Sequence, residues 1–286
     1  MDPHSAKRVK KDTILTTQKM SMNNEKRNRL NALLPWLIPT AFVLIWIGVS
    51  EMGLVPTYLL PHPMEIFHAG YIYIFGTYGD GAYSGRFMSD ASASILRVGG
   101  GFGFAVLIGL PLGILSGRLS LINRLLSTTI NALRAVPGIS WLPLAMIWFG
   151  IGMRATIFLV ALAAFFPIYL NSAAGARQMN PLLLQAGAMM GIKRIRGTFA
   201  ILLPGIMPQI ITGLRLGLGI SWAYLVLGEL TGVPNGLGAV IMDARMLGRI
   251  DIIMVGVILI AIMGRMGDQL LKVILKFCFK SARRLT

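Results

Sequence analysis

Cysteine is almost missing. Cys278 is the single one in 286 residues, which excludes an intrachain disulfide and a cysteine cluster for metal. Histidine is nearly as scarce: His4, His62 and His68 lie too far from other ligand types to build a metal site, so none is expected. Acidic residues number 11 against 27 Lys and Arg, and charged residues of both signs reach only 13%, where soluble domains run at about a quarter. The motifs H-E-x-x-H, G-x-S-x-G and G-x-x-x-x-G-K-[ST] are absent, so no catalytic residue and no nucleotide site is assigned, and no cofactor is expected in this chain.

What fills the chain instead is hydrocarbon. Hydrophobic residues make up 55%, the mean hydropathy is +0.69, and several apolar runs approach 20 residues. Runs of that length match a bilayer core of about 30 Å when helical, so the chain reads as an all-α, multi-pass membrane protein surrounded by lipid. The net charge of +16 would also suit a nucleic-acid binder. Its distribution argues against one. Eight of the 27 basic residues fall within residues 1–30, and most others sit in short segments between or just after apolar runs, as the positive-inside rule produces.

Residues 1–30 are polar and basic and are expected to be a disordered cytoplasmic tail, with Met1, Met20 and Met22 each a candidate start. Residues 31–286 read as the membrane domain, with spans near 33–50, 91–116, 121–149, 155–174, 206–230 and 252–275. Residues 51–90 carry Arg86 against Glu51, Glu65, Asp80 and Asp90, so that loop belongs outside. Its aromatics Tyr71, Tyr73, Phe75 and Tyr78 suit an interfacial helix. Gly109, Gly113 and Gly117 in the second span make a small-xxx-small face for close helix packing. Pro137-Gly138 and Pro143 predict a kinked or broken third span, because proline removes an N–H and displaces a carbonyl. A short outer loop with Pro234-Asn235-Gly236 joins the fifth and sixth spans. The basic tail after 275 places both termini inside.

Between the fourth and fifth spans lies the stretch QAGAMMGIKRIRGTFAILLP, Gln185 to Pro204. Asn180-Pro181 predicts a helix start, since Asn caps free N–H groups and Pro suits the first helical position. Gly191 tolerates left-handed dihedrals and can end that helix. Leu182, Leu183, Ala186, Met189 and Met190 follow a helical period and give a methionine-bearing face. One reading is a basic loop between spans, and the other is a docking helix offered to a partner.

The stretch resembles the EAA loop of ABC-importer permeases, a Glu-Ala-Ala, Gly, Ile-x-Leu-Pro pattern. Gln185-Ala186-Gly187 stands for Glu-Ala-Ala, Gly191 falls at the expected place, and Ile201-x-Leu203-Pro204 matches in full. Gln185 lacks the charge and Gly187 replaces Ala, departures that bear on a salt bridge rather than on docking. LPHPMEIF, LRAVPGISWLPLAMIWFGIG, FLVALAAFFPIYLNSAAG and LPGIMPQIITGLRLGLGISW extend the resemblance over roughly residues 33–275, toward the permeases for aliphatic sulfonates, taurine and nitrate. The resemblance implies a type I importer fold in the bacterial inner membrane and a second copy of the chain as homodimer partner. It also implies ATPase subunits that use ATP and Mg, docked at the cytoplasmic segment 180–204, and a periplasmic or lipid-anchored substrate-binding protein. Related permeases carry thiamine precursors, riboflavin and other ligands. An ion-coupled secondary transporter is the competing class, against which sparse intramembrane carboxylates weigh.

Ionisable groups within spans are costly and mark cavities or pairs. Arg134 would lie about 20 Å into the third span and Arg215 about 15 Å into the fifth. Each either lines an anion path, together with Pro137, or satisfies a nearby carbonyl or carboxylate. No carboxylate stands on the same spans at that depth. Glu229, near the outer end of the fifth span, reads as a structural partner or gate hydrogen bond, with the path as its other role. Arg265 and Asp268, at i,i+3 spacing, predict a local ion pair.

Overall fold

The computed structural model describes residues 34–35, 37–77, 81–192 and 194–278. The tail 1–30, Tyr78, Asp80 and Lys193 lie outside the described residues. Two compact units divide the chain, Met1–Pro63 and Met64–Thr286. In the first, helix α1 (Leu37–Glu51) is apolar and about 22 Å long, and residues 34 and 35 are helical as well.

Every regular element among the described residues of the second unit is helical. Helix α2 (Pro63–Phe75) begins at the division between the units. Four helices are long and apolar enough to cross a membrane: α3 (Phe87–Arg118), α6 (Met153–Gln178), α10 (Met207–Glu229) and α12 (Ile250–Cys278). The third predicted span is divided. Helix α4 (Ser120–Ala135) ends at an extended Val136, whose ψ of 121° is what the proline ring of Pro137 imposes on the residue before it. A short 3-10 turn (Gly138–Trp141) and helix α5 (Leu142–Phe149) follow, and the axis bends by 92° across the break. Pro143 sits in the first turn of α5, where a missing N–H costs nothing. The described residues thus hold four spans, or five if the bent pair is one.

Helix α6 is the centre of this unit, with α3 and α10 packed along it. Glycines make the approach possible. A Cβ at Gly113 would stand 2.6 Å from the Tyr169 carbonyl oxygen, and one at Gly117 only 2.5 Å from that of Ala173, so the small-residue face read from the sequence is the α3–α6 contact. Ala105, Ala164, Ile168, Leu202, Ile206, Met207, Ile210 and Leu214 form the main core.

Two parts differ from the sequence expectation. The stretch between the fifth and sixth spans is not just a short loop. It contains helix α11 (Leu237–Met246), with Leu237, Gly238, Ala239, Val240 and Ala244 buried. The aromatic set on α2 also divides: Tyr71 and Phe75 are exposed, whereas Tyr73 is fully buried. An interfacial position therefore describes one face of α2 only.

Candidate functional site

The 180–204 segment starts with helix α7 (Pro181–Met189). The Asn180 Oδ1 accepts the Leu182 N–H at 2.9 Å, the cap the sequence predicts. The helix stops at a left-handed Gly191 (φ 79°). The Gly191 N–H reaches the Ala188 carbonyl and the Ile192 N–H reaches the Gly187 carbonyl, which together make a Schellman motif. Gly187 is buried, and the Ile201 side chain occupies the space where its Cβ would stand. Ala at this position would require the Ile201 Cδ1 to shift. Gln185 and Ala186 are exposed.

After α7 come α8 (Arg194–Gly197), a five-residue π-turn (Thr198–Leu202) and one turn of helix, α9 (Leu203–Gly205). Leu202 is the core anchor. Ile201 and Leu203 are half-buried, and Pro204 is exposed. Met189 and Met190 are 91% and 79% exposed, and Leu182, Leu183 and Phe199 add further uncovered apolar surface. This face is coupled to the spans. The Arg118 guanidinium at the end of α3 donates to the Thr198 hydroxyl at 2.5 Å. Beside it, Asn123 of α4 accepts from Arg177 of α6 at 2.8 Å and from Ser116 of α3 at 3.3 Å.

At the opposite end of the helices lies a buried polar network, of which the sequence reading named Glu229, as a structural partner, and missed the rest. Arg97 of α3 donates to Glu229 of α10 at 2.6 Å, and to the Asn235 carbonyl and side-chain oxygens at 2.7 and 2.9 Å. Ser94 donates to the same carboxylate at 2.8 Å. Asp90 accepts from the Tyr73 hydroxyl and from the Gly236 N–H, both at 3.0 Å. The Leu237 N–H reaches Ser94 and the Gly238 N–H reaches Glu229. Three consecutive N–H groups at the start of α11, which have no partner inside the helix, thus meet two carboxylates and a hydroxyl, the charge that a helix N-terminus favours. Burial raises the Tyr73 phenol above its ordinary range and the Asp90 carboxylate raises it further, so the hydroxyl stays a donor. Glu229 and Arg97 are 0% and 4% exposed. One sequence signal could have found the set: Asp90, Ser94 and Arg97 recur at i, i+4 and i+7, a polar stripe on one face of an apolar helix.

The break at Pro137 opens a cavity of about 440 Å³ between α4, α6 and α10. Arg134, Pro137, Trp141, Phe166 and Tyr224 line it. The rest of the lining is apolar, and Arg134 is its one ionised group. Among the described residues Arg134 has neither an ion-pair nor a hydrogen-bond partner, so it does not satisfy the carbonyls freed by the proline. Glu229 and Arg215 are not among the lining residues.

For Arg215 the structure favours the second of its two readings, pairing with a nearby carboxylate. Its partner is Asp268, on a different span, with guanidinium contacts of 2.8 and 3.3 Å. Lys272 approaches the same carboxylate at 2.9 Å and Arg265 at 3.6 Å, so the predicted i,i+3 pair exists inside a larger cluster.

A bundle of glycine-packed apolar helices, one span broken over a cavity with a single cation, defines a multi-pass helical membrane protein suited to translocation. Residues 109–274 match the family model described as binding-protein-dependent transport system inner membrane component. The chain belongs to that family and is a permease subunit. It is 32% identical to the Bacillus subtilis protein provisionally named aliphatic sulfonates transport permease protein SsuC, over 87% of each chain. It is 33% identical to the taurine transport system permease protein TauC of Escherichia coli, over 76% of this chain and 78% of that one. Similarity to the nitrate import permease protein NrtB of Synechocystis is 30% identity over 73% and 77%. In fold it resembles a chain of the inward-facing MetNI methionine ABC transporter, with a TM-score of 0.54 at 20% identity, covering 65% of this chain and 95% of that one.

Proposed function

We propose that the chain is the membrane permease of an ATP-driven importer for a small anion of the sulfonate, taurine or nitrate class. The observation that carries the substrate class is Arg134, an unpaired guanidinium facing a cavity at a broken span. A guanidinium is always charged and matches planar or tetrahedral oxyanions. One such group among apolar walls attracts an anion without holding it tightly, and a conducting route needs that weakness. High affinity then belongs to a separate substrate-binding protein. The names of the relatives, for sulfonates, taurine and nitrate, support the same reading.

In this reading six spans place both termini in the cytoplasm, and a second copy of the chain completes the path. The exposed face of α7 docks into an ATPase subunit. ATP and Mg are bound there, and closure of the ATPases moves residues 180–204 and rocks the helices attached to them. Arg134 and Pro137 line the path. Arg215 and Glu229, both held in ion pairs, are structural. The test is Arg134→Gln in vesicles reconstituted with ATPase and binding protein. Assembly and basal ATP hydrolysis stay near normal, and anion uptake falls by about tenfold or more, the worth of one charge-assisted contact. Wild-type uptake would remove Arg134 from the path.

A further inference from the structure

We propose that Arg265 and Lys272 of α12 form a binding site for the phosphate headgroup of an anionic phospholipid in the cytoplasmic leaflet. The proposal rests on the reading above for which end of α12 is cytoplasmic. Four charged side chains meet here. Arg215 engages both oxygens of Asp268, which neutralises that carboxylate from the α10 side. Lys272 and Arg265 add two further cations at 2.9 and 3.6 Å. Three positive charges therefore surround one negative charge, and a net charge of about two is left uncompensated among the described residues. The Arg265 side chain is 66% exposed and that of Lys272 is 27% exposed, so both can take a second acceptor.

Depth selects the ligand. The Arg249–Asp251 ion pair at 2.6 Å marks one end of α12, and residues 252–264 carry no charge. A hydrocarbon core of about 30 Å takes roughly 20 helical residues, which puts the other boundary near residue 271. Arg265 lies just inside that boundary and Lys272 at it, where long basic side chains extend toward headgroups. Ile258 and Ile262, seven and three residues before Arg265 on the same face of α12, are exposed. They offer apolar surface to acyl chains beside the cations, which a free inorganic anion would not use. The translocated anion is a poorer candidate, because none of these residues lines the Arg134 cavity.

The experiment is native mass spectrometry of the full chain in complex with its ATPase, titrated with phosphatidylglycerol or phosphatidylcholine. The wild type should retain phosphatidylglycerol preferentially. The double variant Arg265→Gln/Lys272→Gln should bind it about tenfold or more weakly, since each basic group near the surface contributes measurably. The charge-preserving Arg265→Lys/Lys272→Arg variant should keep the preference, which separates lost charge from lost folding. Arg124→Gln, an exposed cation on α4, should leave binding unchanged. Equal retention of the two lipids overturns the proposal, as does an equal loss in Arg124→Gln, which would mean diffuse basic charge. Displacement of the lipid by inorganic phosphate would show a soluble-anion site instead. No arm reads transport, so the lipid site and the anion path can fail independently.

Discussion

Arg97 lies within an apolar span and Arg134 at the end of the amphipathic helix α4, and their surroundings differ sharply. Arg97 is 4% exposed and holds Glu229 at 2.6 Å and Asn235 at 2.7 and 2.9 Å. Arg134 faces a cavity and has no partner among the described residues. A charge removed from water is tolerable only when opposite charge and hydrogen bonds replace its hydration. Arg97 meets that condition inside the protein through its two terminal nitrogens, with only its Nε left without an acceptor among the described residues, and ties α3, α10 and the start of α11 into one unit. Arg134 is exposed at the cavity, so its charge keeps its hydration and remains free to meet an anion. The difference is between a charge paired within the protein and one left without a partner among the described residues.

The largest effect should come from breaking the structural side of this pair. Glu229→Leu strands Arg97, and Arg97→Leu strands Glu229. Each costs about 3–5 kcal/mol, the loss seen when one partner of a buried ion pair is removed. The double variant Arg97→Leu/Glu229→Leu leaves no orphaned charge and should be more stable than either single variant, though α11 still loses its Gly238 cap. Thermal unfolding of the detergent-purified protein reads the order. Additive losses would mean that the two residues act separately, against the geometry.

A second break concerns the far end of the same helices. Gly191→Pro forces φ to about −65° where the chain needs 79°, and it removes the N–H that reaches Ala188. Because the Arg118–Thr198 contact joins this segment to α3, the defect should appear in coupling. Substrate-stimulated ATP hydrolysis or complex assembly should drop severalfold while the protein still inserts. Gln185 is exposed, so Gln185→Glu should be tolerated. Unchanged coupling in Gly191→Pro would detach the 180–204 surface from the ATPase.

Local features were legible in the sequence, and long-range ones were not. The Asn180 cap, the Gly191 stop, the Pro137 break and the Gly109–Gly113–Gly117 face each depend on residues within a turn or two of one another. The Arg97 network joins positions more than 130 residues apart, so no window of the chain displays it. A carboxylate partner for Arg215 is one of its two sequence readings, but nothing near it in the chain names Asp268, which arrives from 53 residues away. Helix α11 was passed over because ten residues between two strong apolar runs look like a connection. Its apolar face becomes readable only once Asp90, Ser94 and Glu229 are seen to hold its first turn.

The smallest effect expected sharpens the comparison most. Arg215, like Arg134, is an arginine in a span, but it is paired and about two-fifths exposed. In Arg215→Gln, Asp268 is not orphaned, because Lys272 remains at 2.9 Å and Arg265 at 3.6 Å. The loss is then that of one exposed ion pair, about 0–1 kcal/mol. Since Arg215 does not line the cavity, anion uptake should stay within about twofold of wild type, less than the effect of a single lost hydrogen bond. Arg134→Gln should show the reverse pattern, with stability kept and uptake lost. Side-by-side uptake and melting measurements on the two variants decide the matter. A large transport loss in Arg215→Gln at unchanged stability would place the α10–α12 cluster on the anion path and cancel the distinction between paired and unpaired arginines.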